Sequence, residues 1–107
     1  MRLQITERLL LLEMLPKEGD FASLKEIRRA REALGISPDE QLEIEFKQEG
    51  NQVMWNQEKG AYLKDIPLSE WVTTTIQDEL RKRNKDKKLQ EREFSLYEKF
   101  IVAYDQV

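Results

Sequence analysis

With no His and no Cys, acid–base and metal chemistry in this chain would fall mainly to its carboxylates, lysines and arginines. That removes the usual general base near neutral pH, the commonest metal ligand, and all thiolate or disulfide chemistry. The tightest grouping among the reactive side chains that remain is Pro38-Asp39 followed by Glu45-Phe46-Lys47. Two carboxylates on adjacent strands, with a lysine beside them, could hold a divalent ion for phosphodiester hydrolysis. The spacing between Asp39 and Glu45 leaves no room for a strand, a turn and a second strand. Asp39 falls instead in a helix-start signal, where a carboxylate complements the helix dipole.

The same residues resemble the PD…(D/E)xK pattern of metal-dependent nucleases, at a spacing that does not suit it. A nuclease is therefore the minor alternative. The main expectation is a chain with no catalytic residues, no metal and no cofactor.

Two other groupings suit binding better than reaction. Arg81, Lys82, Arg83, Lys85, Lys87 and Lys88 fill six of the eight positions from 81 to 88, and Arg28, Arg29 and Arg31 form a second basic group. Together they could neutralise phosphates in a nucleic-acid partner. The 81–88 run has no interleaved aromatic residue for base stacking, and the formal charge of the chain is −3. Nucleic-acid binders usually carry net positive charge or a clear basic face. The acidic grouping is Asp39, Glu40, Glu43, Glu45 and Glu49. Residues 36–67 hold seven acidic and three basic side chains, a net −4, while the flanking segments nearly balance. Such asymmetry can steer an encounter with a cationic partner surface.

The elements that must carry these groups can be read from periodicity. A chain of 107 residues fits one domain, 1–107, with one modest core. Charged residues make up 36%, above the usual ~25%, and most must lie in water. In "MRLQITERLLLLEML", Thr6 can cap a helix from Glu7. Leu9 to Leu12, Met14 and Leu15 cover most of its circumference, so it must be packed on more than one side. Pro16 ends it. The stretch has a leader-like look, but Glu7 and Glu13 interrupt it and no small-residue cleavage site follows. The expectation is a folded helix of a cytoplasmic protein, with no membrane span.

Ser23 and Glu26 suggest a capping box for a second helix, with Leu24, Ile27, Ala30 and Leu34 at helical spacing and Gly35 past its end. Ser37-Pro38-Asp39-Glu40 opens a short third helix. By Leu42 the pattern alternates. Leu42, Ile44 and Phe46 share one face, with Glu43, Glu45 and Lys47 on the other. Gly50-Asn51 offers a two-residue turn, and Val53 and Trp55 continue the apolar face. That face is expected to lie on the Leu-rich first helix, because a two-stranded hairpin is marginal alone. A short third strand is expected near Ala61 to Leu63. Ser69 caps a long helix with a Leu68, Val72, Ile76 and Leu80 stripe. A last helix, about Gln90 to Tyr104, is expected to bury Phe94, Tyr97, Phe100, Ile101 and Tyr104, with Leu96 and Ala103 flanking.

The fold class is thus α+β, a small helical domain with a central β-hairpin, in the order helix, helix, short helix, hairpin, helix, helix. That order resembles a winged helix. In the recognition slot stand Pro38-Asp39-Glu40, whose acids would repel phosphates, so the shape suits protein binding better than DNA reading.

Three stretches resemble small, functionally uncharacterised proteins of tailed bacteriophages and prophages. They are Met14-Leu15-Pro16-Lys17-Glu18-Gly19-Asp20-Phe21, then Glu45 to Gly50 with Trp55-Asn56, and Ser95 to Phe100. The resemblance spans nearly the whole chain and brings no functional residue with it. It implies an accessory protein acting in a host cytoplasm. The expected function is a non-catalytic protein-interaction module that binds and modulates a host or phage protein through the acidic grouping. The alternatives are a nucleic-acid-binding regulator using the two basic groups, and a structural or assembly protein that forms a homo-oligomer.

Overall fold

The computed structural model describes residues 1–104. The chain begins with a two-residue strand, β1 (Arg2–Leu3), followed by α1 (Ile5–Met14), α2 (Phe21–Leu34) and the short α3 (Pro38–Glu43). A hairpin of β2 (Lys47–Glu49) and β3 (Gln52–Met54) comes next, then β4 (Lys64–Asp65) and the long α4 (Glu70–Lys85). A last helical run has a 3₁₀ turn at Glu91–Glu93, a turn of α-helix, α5 (Phe94–Tyr97), and a π-helical turn at Glu98–Val102. The architecture is α+β in the expected order of elements.

The starts of these helices follow from their caps. Ser37 accepts from the Glu40 N–H at 3.2 Å and Ser69 from the Val72 N–H at 3.2 Å, as the sequence indicates. The second helix starts earlier than expected: Asp20, not Ser23, is its cap, accepting from the Ser23 N–H at 2.8 Å. The first helix also starts early, at Gln4, whose N–H donates to the Glu7 carboxylate at 2.9 Å, and Thr6 lies inside it. Both shifts have one cause. In each, a carboxylate satisfies a backbone N–H of the first turn ahead of the expected cap: Asp20 takes the Ser23 N–H, and Glu7 takes the Gln4 N–H.

The core is helical. Leu10, Leu11 and Leu15 of α1 meet Ile27, Ala30 and Leu34 of α2, the Val72, Ile76 and Leu80 stripe of α4, and Leu96, Phe100 and Ile101 of the last run. Each of the buried Leu, Ile, Val and Phe side chains contributes about 1.5–3 kcal/mol. The first helix packs against both α2 and α4, which explains its nearly all-round apolar sequence. Leu3 and Ile66 close one side, brought there by antiparallel pairing of β1 with β4, Arg2 opposite Asp65 and Leu3 opposite Lys64. The third strand is therefore at Lys64–Asp65, just beyond the expected Ala61 to Leu63, and its partner is the N-terminal strand.

The hairpin departs most from expectation. Its turn is Gly50-Asn51 and its register is Lys47 to Met54, Gln48 to Val53 and Glu49 to Gln52, so the loop is even as predicted. It does not lie face down on α1: all six strand residues are exposed. The alternating stretch 42–46 is not strand, because α3 runs on to Glu43. Leu42 then sits on the outer side of a helix, 79% exposed, while Ile44 is fully buried. Only the base of the hairpin is sheltered, where the Phe46 and Trp55 rings stack with centroids 6.4 Å apart.

The last helical run also turns a different face inward. Leu96 is buried with Phe100 and Ile101, whereas Phe94 and Tyr104 are about half exposed or more. The 3₁₀ start and the π turn, in which the Ala103 N–H reaches the Glu98 carbonyl at 2.8 Å, depart from 3.6 residues per turn. Extrapolating a regular helix across them rotates the outer residues off the buried face. Among the described residues no helix is long and apolar enough to cross a membrane.

Candidate functional site

The acidic segment is organised by an arginine that sequence reasoning passed over. Arg8 projects from α1 into the protein and is fully buried. Its guanidinium donates to both carboxylate oxygens of Glu40, at 2.7 and 2.9 Å. It also donates to the Leu34 carbonyl at 3.1 Å and the Gly35 carbonyl at 2.6 Å, which are among the orphan acceptors at the end of α2. Tyr62 donates its hydroxyl to the same carboxylate, and Lys64 Nζ stands 3.8 Å away. The Arg8 hydrogen bonds hold the Glu40 carboxyl down at about 2 despite the opposing effect of burial. Burial, then the bond to Glu40, pushes the Tyr62 hydroxyl up to about 12.

This corrects the expectation for Glu40. It was grouped with the docking acids, but only 7% of it is exposed and it has a structural role. It ties α3 to α1 and to the loop before β4. The signal that could have found it is Arg8 itself, the one cation of a leucine-rich helix that is packed on more than one side, which calls for an anion if it is buried.

The other acids lie at the surface. Asp39 and Glu43 are exposed on α3, and Glu49 is exposed beside the turn. Glu45 is neither on a helix nor on a strand. It is the residue just past α3, with φ of 56° in the left-handed region. Around it the Glu45 N–H bonds the Leu42 carbonyl at 3.3 Å and the Phe46 N–H bonds the Gln41 carbonyl at 2.8 Å. That is a Schellman cap with glutamate where glycine is usual. The Glu45 carboxylate accepts from Lys59 Nζ at 2.8 Å and from the Asn56 side chain at 3.3 Å. These bonds, Lys59 first, lower its pKa. Glu43 and Glu45 therefore do not share a strand face, which reflects the longer α3.

A second set of bonds fixes how the hairpin leaves the body. The Asn56 N–H donates to the Ile44 carbonyl at 2.7 Å. Gly60 lies under Trp55, where a Cβ would come within 2.7 Å of the indole Cδ1. The hairpin is thus anchored at its base and free along its length. Leu42 on α3 and Val53 and Met54 on β3 are exposed, as are Asp39, Glu43 and Glu49 of the same segment.

The basic residues lie on α2 and at the end of α4. Arg28, Arg29 and Arg31 are exposed on α2, and Arg29 borders the beginning of α4 around Leu68 to Val72. Arg81, Lys82, Lys85, Lys87 and Lys88 are exposed at the other end of α4. A helix rises 1.5 Å per residue, so Arg29 and the 81–88 group are roughly 15–20 Å apart along the axis. Arg83 is turned inward, donating to Glu79 at 3.0 Å and to the buried Glu93. Lys87, with φ of 57°, closes a second Schellman cap in which the Lys88 N–H bonds the Arg83 carbonyl at 2.8 Å.

The nuclease-like residues fall on consecutive elements. Asp39 is on α3, Lys47 is on β2, and Glu45 is bonded to Lys59 and Asn56 between them. Among the described residues no group of three carboxylates is placed to hold a metal ion. No protein-family model, curated protein or solved structure matches the chain.

Proposed function

We propose that this chain is a non-catalytic protein-interaction module that docks a cationic partner surface through α3 and the hairpin. In this reading it is a phage-type accessory protein that binds and modulates a host or phage protein. One observation carries the reading: Leu42 on α3 and Val53 and Met54 on the hairpin are exposed apolar side chains in the acidic segment, and the hairpin strands add nothing to the core. Exposed apolar residues within a charged rim are what protein interfaces use. The net −4 of residues 36–67 supplies the steering charge.

Affinity capture from host lysate, with and without nuclease, tests this. The double variant Glu43→Lys/Glu49→Lys changes two exposed residues and is expected to keep its stability within about 0.5 kcal/mol. It is expected to lose a protein partner that wild type retains after nuclease treatment. Equal capture by both chains counts against this surface. Capture abolished by nuclease favours the nucleic-acid reading, and a stable homo-oligomer in sedimentation favours the assembly reading.

A further inference from the structure

Among the described residues the hairpin has two unpaired edges, and the one along β3 carries its exposed apolar side chains, Val53 and Met54. We infer that the partner contributes an extended segment bearing Lys or Arg, which adds as a third strand along β3. This rests on the docking reading and goes beyond it.

The register supplies the first argument. Glu49 and Gln52 flank the two-residue turn and form its closing pair. In such hairpins the closing pair is hydrogen-bonded, and bonded and non-bonded pairs then alternate. Gln48 and Val53 are thus a non-bonded pair, and the Val53 N–H and C=O point away from β2. Among the described residues β3 has no strand on that side. The Val53 backbone is an open donor and acceptor on an exposed edge.

The side chains supply the second argument. Val53 and Met54 point to opposite faces of the ribbon, and both are exposed. A strand laid beside β3 would find an apolar cross-strand neighbour on each face. The third is charge. Glu43 at the base and Glu49 at the tip lie within the −4 segment, which favours a cationic segment. The same charge on a second copy opposes edge-to-edge self-pairing. Finally, the ribbon is held in place by the Asn56–Ile44 backbone bond, the Glu45–Lys59 pair and the Phe46–Trp55 stack. A pre-positioned edge can add a strand without rearrangement.

The test uses the ¹⁵N-labelled full chain and a synthetic octapeptide of alternating Lys and Val. The expected result is amide shifts centred on residues 51–55 and slowed hydrogen exchange at the Val53 N–H. Binding should weaken about tenfold at high salt, and a Glu/Val octapeptide should give no shifts. Val53→Pro removes the edge donor but no ladder bond. It should weaken binding by at least about tenfold, while Val53→Thr binds like wild type. Absence of shifts, or shifts without protection of Val53, overturns the inference; so does undiminished binding by Val53→Pro. If the captured partner survives Val53→Pro but is lost with Glu43→Lys/Glu49→Lys, the docking surface stands and strand addition falls. Loss with neither variant sinks both. Shifts at 51–55 that grow with protein concentration alone identify a second copy as the occupant and also overturn the cationic-segment assignment.

Discussion

Arg8 and Glu40 lie 32 positions apart in the chain, yet meet through two hydrogen bonds of 2.7 and 2.9 Å inside the protein. The pair joins the first helix to the third, and the same guanidinium closes the end of the second. Removing one partner leaves a buried charge unanswered, which costs about 3–5 kcal/mol. Glu40→Gln is expected to show a loss of that order in urea unfolding. The double variant Arg8→Leu/Glu40→Leu should lose less than the sum of the single Leu substitutions. It should still fall short of wild type, since the Leu34 and Gly35 carbonyls lose their donor. Additive losses in the double-mutant cycle would show that the two side chains do not act as a pair.

The same carboxylate sets an acid limit. Its folded pKa is about 2, below the ordinary 4.5. A depressed carboxyl contributes stability that is complete above its unfolded pKa and disappears as pH falls through the folded one. The expected loss from this group is on the order of 3 kcal/mol between about pH 5 and pH 2. Stability measured across that range should fall less steeply in Glu40→Gln, and an identical slope would assign the acid sensitivity to other carboxyls.

Lys87 occupies a left-handed cap position that favours glycine. A side chain there costs about 1–2 kcal/mol, partly offset by the greater unfolded-state entropy of glycine. Lys87→Gly is expected to raise stability by about 0.5–1 kcal/mol. Glu45→Gly relieves the same backbone conformation but loses the Lys59 contact, so its net gain should be smaller. A thermal-unfolding comparison decides, with a lowered midpoint for Lys87→Gly as the contrary result.

Gly60 sits where a methyl group would strike the Trp55 ring. Gly60→Ala should displace the indole and cost about 1–3 kcal/mol. In a Trp71→Phe background, the emission of the remaining tryptophan should shift toward the red. Unaltered emission and stability would mean that the ring and loop yield without cost.

Much of this fold can be read from local patterns. Ser37 and Ser69 mark their helices, Gly50-Asn51 marks the turn, and the Val72, Ile76 and Leu80 stripe marks a buried face. Each is decided within a few residues. What escapes is either non-local or breaks a local rule. The pairing of β1 with β4 joins two-residue strands more than sixty positions apart, too short to show periodicity. Helix α3 is stopped by Glu45 where glycine would have given the signal, and so 42–46 reads as strand. Glu7, Glu40 and Glu93 resemble ordinary helix-start acids, yet all three are buried because Lys99, Arg8 and Arg83 reach them. For the candidate site, the sequence identified the acidic segment and the turn. It did not separate Glu40, held inside, from Asp39, Glu43 and Glu49 outside.

The neighbour of Arg8 links the first helix to the last helical run. Glu7 is met by Lys99 at 2.6 Å, and that lysine also donates to the Arg2 carbonyl at 3.0 Å. Helix α1 is therefore tethered to two widely separated parts of the chain, its Arg8 to residue 40 and its Glu7 to residue 99. Losing either partner would strand a buried ion on the helix at the centre of the core, so changes at two distant positions act on one element.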